Sequence, residues 1–237
     1  MIRGRTVVIG IVLTIAAITC VRLGVWQVSR LGEKKRLNAD RRAALAAPPL
    51  ALGDTIPADT LAGRVVSVRG HYDNARYVLL AGRTLDGDLG VEVLTPLILP
   101  GGIAILIDRG WLGAEQPVDA HPERSAEPGE RDVRGLVEWL PPARGATLRP
   151  TTRDSITLLL ALRLDPDTLA ARFPYPIARF TIRELPGPGV GPVPLRTPPE
   201  PLDESVHLGY AIQWFAMATI IAGGSIALAL RKAPKAS

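Results

Sequence analysis

Two long runs without a charged residue constrain this chain more than any other feature. The first extends from Thr6 to Val21, and after Arg22 the apolar character resumes through Leu23-Gly24-Val25-Trp26-Gln27-Val28. The second extends from Gly209 to Leu230. At a rise of about 1.5 Å per residue, each makes a helix of roughly 33 Å, enough to cross a hydrocarbon core of about 30 Å. Arg22 does not exclude the first span, because a cation near a span's end can snorkel to the headgroups. A buried core helix is the alternative for each run, but runs this long with so few charges read as membrane spans. The overall hydrophobic share, 47%, is that of an ordinary globular protein, so it is the segregation of apolar residues that carries the information.

The expected organisation follows from the spans. Residues 1–5 form a short N-terminus, 6–28 the first span, 29–206 an extracytoplasmic domain, 207–230 the second span and 231–237 a C-terminal tail. Arg231, Lys232 and Lys235 follow the second span, whereas Glu200, Asp203 and Glu204 precede it. The positive-inside rule therefore places both termini in the cytoplasm. Arg30, Lys34, Lys35, Arg36, Arg41 and Arg42 lie on the opposite side of the first span, but long loops translocate largely regardless of charge. The first run is too long for a signal-peptide core, and no small-residue cleavage site follows before Trp26, so it reads as an uncleaved anchor. No long amphipathic, Arg/Ser-rich leader precedes it, which favours a bacterial plasma membrane over an organelle. The net charge of +5 is concentrated near the membrane and fits headgroup contact rather than nucleic acid. Cys20, inside the first span, is the only cysteine, which excludes an intrachain disulfide and any Cys-rich metal clamp.

Between the spans the pattern changes twice. Residues 29–47 hold good helix formers and continue the first helix as a charged juxtamembrane segment, which Pro48-Pro49 ends. From 64 to 185 the chain reads as a β-rich core. "RVVSVRGHY" and "ARYVLLAGR" are joined by an Asp-Asn turn, "TLDGDLG" turns into "VEVLTPLIL", and "IAILIDRGWL" and "RDVRGLVEWL" follow. In "IAILIDRGWL", Ile103, Ile105 and Ile107 share one face while Ala104 and Leu106 fill the other, so that strand is buried on both sides. "SITLLLALRL" fits strand or helix. "DPDTLAARF" reads as a short helix capped by Asp165 with Pro166 in its first turn. "IARFTIREL" is a further strand. The fold class expected is thus membrane α+β: two transmembrane helices flanking a mostly antiparallel β domain, barrel-like or a sandwich, with one or two short helices. Residues 186–206 are rich in Pro and Gly and read as an extended arm back to the membrane.

Soluble catalytic and phosphate-binding motifs are missing, and the glycines of "GRTLDGDLG" fit a hairpin turn. His71 reads as a surface residue at a strand end and His121 as a solvent-exposed loop residue. His207 differs, because on a helix it shares a face with Tyr210, Ala211 and Trp214 at the start of the second span. One reading of that face is an aromatic belt at the headgroups. The other is a cofactor face, on which imidazole can ligate haem iron and flat rings can pack against a macrocycle. Trp26 and Gln27 end the first span at a matching depth. If the helices pair, Gln27 and Gln213 can hydrogen-bond across them, and Arg22, Arg30 and Lys34 can meet anionic groups such as haem propionates.

Four segments carry a family resemblance over most of the chain. "LGVWQVSRLGEK" leaves the first span, "GHYDNARYVLLAGRTLDGDLGVEVLTPL" and "GGIAILIDRGWL" lie in the β region, and "HLGYAIQWF" enters the second span. In this order, inside a two-span topology, they make the chain resemble the surfeit locus 1 family of cytochrome c oxidase assembly factors. Asp108 departs from the family's usual Asn, and residues 113–190 match only loosely. The resemblance implies a non-enzymatic role in maturing the haem-bearing subunit of haem-copper oxidases, with haem a bound and passed on. It implies His207 as the haem-iron ligand, and the cofactor-face reading then puts Tyr210, Trp214, Trp26, Gln27 and Arg30 around the haem. The partners implied are oxidase subunit I, haem a synthase and the lipid bilayer. One histidine per chain at the membrane interface suits a five-coordinate haem or a homodimer sharing one. Two other readings stay open: a haem-free assembly scaffold that docks through the β domain, and a membrane-anchored periplasmic binding module unrelated to oxidases.

Overall fold

A computed structural model of the chain describes residues 2–53 and 61–231; Met1 and residues 232–237 of the expected tails, with Lys232 and Lys235, lie outside the described residues. Among the described residues there are three α-helices: α1 (Ile2–Ala46), α2 (Pro166–Ala170) and α3 (Ser205–Arg231). Nine strands accompany them: β1 (Leu50–Ala51), β2 (Val65–Tyr72), β3 (Arg76–Leu85), β4 (Asp88–Ile98), β5 (Ala104–Gly113), β6 (Glu130–Trp139), β7 (Arg149–Arg153), β8 (Ile156–Ala161) and β9 (Ile177–Glu184). The chain divides into two compact units, one of residues 1–42 with 201–237 and one of residues 43–200.

The first unit is a helical hairpin. α1 is one uninterrupted helix of 45 residues, so the first apolar run and the charged segment after it are a single element, ended by Pro48-Pro49 as the sequence predicts. α1 and α3 are each long and apolar enough to cross a membrane. Val7, Val8, Ile9, Ile11, Val12, Ile15 and Ile18 are all more than half exposed, as is Ile220, which suits a hydrocarbon solvent and not water. The hydroxyls of Thr14, Thr19 and Thr219 donate to carbonyls four residues earlier, each at 2.9 Å. A polar group facing lipid must be satisfied within its own helix in this way. The two helices run antiparallel, because Gly24 meets Phe215 while Gln27, further along α1, meets His207, earlier in α3. Their facing stripes are built largely of small residues: Ala16, Ala17, Cys20 and Gly24 on α1, Ala211 and Ala218 on α3. Small residues let helix backbones approach where no hydrophobic effect operates.

The second unit is built on one sheet in the order β1-β2-β6-β9-β5-β4-β3-β8-β7. An antiparallel pairing of β2 with β4 closes β2, β6, β9, β5 and β4 into a five-stranded barrel. Val66, Val68, Leu97, Ile105, Ile107, Val137, Phe180 and Ile182 form one core cluster along alternate positions of those strands. The opposite faces of β4 and β5 present Leu94 and Leu106 to a second cluster with Val78, Leu80, Leu159 and Leu169. Ile105, Leu106 and Ile107 are all fully buried, so β5 is covered on both faces as its pattern predicts. The β3–β4 hairpin turns through Asp86 and Gly87, both at positive φ (53° and 94°), the requirement of a two-residue primed turn.

The observed domain refines four expectations. Most pairings are antiparallel, but β1–β2, β3–β8 and β5–β9 are parallel, which a strand-by-strand reading does not reveal. The ambiguous segment 155–164 resolves into β8, and its antiparallel neighbour β7 was not expected. The short helix narrows to α2, where the Asp165 side chain accepts from the Thr168 N–H as a cap. Residues 186–200 of the Pro/Gly arm are irregular, as expected, but they are packed on the domain and are not a free tether. Trp111 and Leu195 exchange backbone hydrogen bonds of 3.0 and 2.7 Å, and Gly110, at φ 104°, leaves room for the arm's backbone.

Candidate functional site

His207 is the third residue of α3, half-buried against α1. Its Nδ1 lies 2.7 Å from Oε1 of Gln27, which is only 8% exposed. Gln27 can hold this position because Gly24, one turn earlier on α1, brings the two backbones close. A Cβ on Gly24 would come within 2.8 Å of the Phe215 ring. With the amide oxygen of Gln27 toward Nδ1, the contact is a hydrogen bond for the imidazole protonated at Nδ1. The imidazole then keeps its Nε2 lone pair, the form needed to ligate a metal.

The other expected site residues distribute around this pair. Ala211 is buried in the helix–helix seam and Trp214 half-buried beside it. Tyr210 and Trp26 are about half exposed, at 49% and 50%, leaving large ring surfaces uncovered. Arg30 lies 5.7 Å from the centre of the Trp26 ring and is paired with Glu33 at 2.6 Å, both exposed. Lys34 donates to the Asp203 carbonyl at 2.9 Å. The expected Gln27–Gln213 pair is not the one formed: Gln213 is exposed, and the partner of Gln27 is His207. Below the pair, buried Asn38 clasps the entry to α3. Its Nδ2 donates to the Leu202 carbonyl at 2.9 Å and to Glu204 at 2.8 Å, while its Oδ1 accepts from the Leu202 N–H at 2.8 Å. The free Nε2 of His207 and the uncovered Trp26 and Tyr210 rings fit a flat, iron-bearing macrocycle. Among the described residues no group of three His, Cys, Asp or Glu side chains could hold a metal ion.

The β domain holds two further polar concentrations that motif reading did not find. Inside it, Arg109 (fully buried) and Arg196 both pair with Glu127, at 2.7 and 2.9 Å, and Arg196 pairs with Glu184 at 2.8 Å. Burial works against ionising Glu127, but the two guanidinium groups outweigh it and hold the carboxyl below its ordinary range. On the outer barrel face, a cleft of about 280 Å³ is lined by Glu92, Asp108, Glu138, Arg83, Arg183 and Trp139, among others. Arg183 binds Glu138 at 2.9 Å and stands 3.5 and 3.6 Å from Asp108 and Glu92. Burial, with only partial relief from Arg183, pushes the Asp108 carboxyl up to about 7. His71 is exposed, as read from the sequence. His121 is instead engaged, with Glu123 at 2.7 Å and Arg153 at 2.9 Å.

Comparison with known proteins covers both units. The model of the SURF1 family matches residues 14–219, from within α1 to within α3. The SURF1-like protein of Dictyostelium discoideum is 34% identical over 99 residues, 38% of this chain and 37% of that protein. Surfeit locus protein 1 of Mus musculus is 29% identical over 135 residues, 50% of this chain and 44% of the relative. The cytochrome oxidase assembly protein SHY1 of Saccharomyces cerevisiae is 27% identical over 157 residues, 64% of this chain and 40% of the relative. The chain thus spans less than half the length of these relatives. With a family match over most of its residues, this chain belongs to the SURF1 family.

Proposed function

We propose that this chain is a membrane-anchored assembly factor for a haem-copper oxidase, which holds haem a on α1 and α3 as cargo for oxidase subunit I. The observation that carries the haem part is the His207–Gln27 contact, which engages Nδ1 and leaves Nε2 without a protein partner among the described residues, while Trp26, next to Gln27 on α1, and Tyr210, one turn on from His207 on α3, keep half their surface exposed. Family membership, and the name of the yeast relative, support the assembly part. In this reading His207 ligates the iron, while Trp26, Tyr210 and Trp214 flank the macrocycle. Arg30, near the headgroups, faces the propionates. In this reading the protein leaves the haem macrocycle chemically unchanged, so the role is binding and transfer and not catalysis. Haem a synthase is the natural donor and subunit I the acceptor. A homodimer sharing one haem accommodates the one imidazole that each chain offers at the helix pair.

In this reading the chain sits in a bacterial plasma membrane, and the positive-inside rule puts both termini in the cytoplasm and the β domain on the opposite side. A cell lacking the chain is expected to make oxidase subunit I depleted of haem a, and restoring the chain is expected to restore it. The tagged chain, isolated in mild detergent, is expected to carry subunit I with it. Full haem loading of subunit I in the deletion strain, with no co-purification, would overturn the assembly reading.

A further inference from the structure

Gln27 contacts His207 without standing where its amide must touch a haem itself. Its Oε1 lies 2.7 Å from Nδ1, on the opposite edge of the imidazole from Nε2, and its side chain is buried in the seam. A neutral imidazole carries one proton on one of its two nitrogens, and the hydrogen bond made by one nitrogen decides the state of the other. An amide oxygen at Nδ1 requires the N–H there. We propose that Gln27 is a positioning residue that fixes His207 in its Nδ1–H tautomer and aims Nε2 out of the helix seam, presetting the histidine as a ligand before any haem arrives. This rests on the reading of His207 as the haem-iron ligand, but the tautomer itself is a property of the haem-free chain.

Three features hold the pair in this arrangement. Gly24 sets the helix spacing, since a Cβ there would push against Phe215 and part α1 from α3. Asn38 ties the residues just before α3 to α1 through three hydrogen bonds, fixing where α3 starts. The low polarity of the seam makes an unmade bond costly for either partner, so the amide and the imidazole choose each other. An accepting oxygen on Nδ1–H also raises the basicity of the ligating nitrogen, as the partners of metal-bound histidines do.

The test begins on the haem-free protein in detergent micelles, with histidine labelled with ¹⁵N and His207→Ala used to assign its signals among the three histidines. At a pH where His207 is neutral, the wild-type spectrum is expected to show the Nδ1–H tautomer. Gln27→Leu is expected to shift the population toward Nε2–H, the form a free imidazole prefers. Gln27→Glu, which keeps an accepting oxygen, is expected to retain Nδ1–H and shows that the hairpin tolerates change at this position. An Nε2–H tautomer in the wild type, or no change in Gln27→Leu, would overturn the inference. The second measurement adds haem. Outer-shell partners of metal ligands are worth roughly 10–100-fold in affinity, so Gln27→Leu is expected to weaken haem binding in that range. The iron–histidine stretching frequency of the reduced form is expected to fall in Gln27→Leu and rise in Gln27→Glu. Haem retained in His207→Ala would instead defeat the ligand assignment, and the tautomer result would stand apart from it.

Discussion

Asp108 is held where its neutral form is favoured. It is 4% exposed, its Oδ1 accepts from the Gly110 N–H at 3.0 Å, and its Oδ2 looks toward Arg183 with Glu92 and Glu138 close by. With its carboxyl raised to about 7, the folded chain keeps a proton that the unfolded chain gives up near pH 4. Stability from this group is therefore full below pH 4, declines as pH rises toward 7 and stays low above it. Asp108→Asn keeps the acceptor for Gly110 and removes the charge. It is expected to match the wild type near pH 3 and to exceed it at pH 8 by a few kcal/mol, on the order set by the shift. Urea denaturation at the two pH values measures the difference. The Arg109 cluster predicts the opposite sign. Glu127→Ala leaves the buried Arg109 guanidinium without a carboxylate, while Arg196 keeps Glu184, and is expected to cost about 3–5 kcal/mol in the same assay. Neither cluster was legible in the sequence. Glu127 comes from a loop, Glu184 from the end of β9 and Arg196 from the arm, and only the closed barrel brings them together. His207 was legible because its neighbours lie within one helix. Its partner was not: Gln213 is six residues on, about 120° away around α3, and depth alone cannot reveal that rotation.

At the level of elements, the helix hairpin depends on close approach at Gly24. Gly24→Val places bulk against the Phe215 ring, and is expected to lower the thermal midpoint of the α1–α3 unit and to release the Gln27–His207 contact. Gly24→Val combined with Phe215→Ala is expected to recover much of the loss, which a double-mutant cycle would reveal as coupling between the two sites. The Asn38 clasp makes a local prediction as well. Asn38→Ala removes the acceptor of the Leu202 N–H, and that amide is expected to exchange with solvent roughly tenfold faster, the scale of one lost hydrogen bond. The elements that were readable in advance have local causes: Asp165 and Pro166 for the start of α2, the Asp86-Gly87 turn, and the uninterrupted run of helix formers in α1. β7 was missed because "RPTTR" has no apolar alternation and forms an exposed edge. β8 stayed ambiguous because five consecutive apolar residues after Thr157 carry no period.

For the whole molecule, the sequence revealed the two apolar helices and the β-rich domain between them, because hydropathy over twenty residues does not depend on tertiary context. Barrel closure and the parallel pairings depend on contacts between distant strands and could not be read in this way. The proposed topology predicts that a cysteine placed at Leu162, 70% exposed in the β domain, reacts with a membrane-impermeant maleimide in spheroplasts, while one placed at Ser237 reacts only after lysis. Reaction of only the second in intact spheroplasts would reverse the orientation, and reaction of both would contradict a crossing by α3. The central claim is that α1 and α3 together hold haem a through His207. Its most direct test is the visible spectrum of the chain purified in mild detergent from cells that make haem a, before and after reduction, beside His207→Ala. The account predicts a Soret band with the haem a signature in the wild type, and most of it lost in the variant while the thermal melt of the β domain is unchanged. A colourless wild-type protein from haem-replete cells would contradict it and leave a haem-free assembly scaffold in its place.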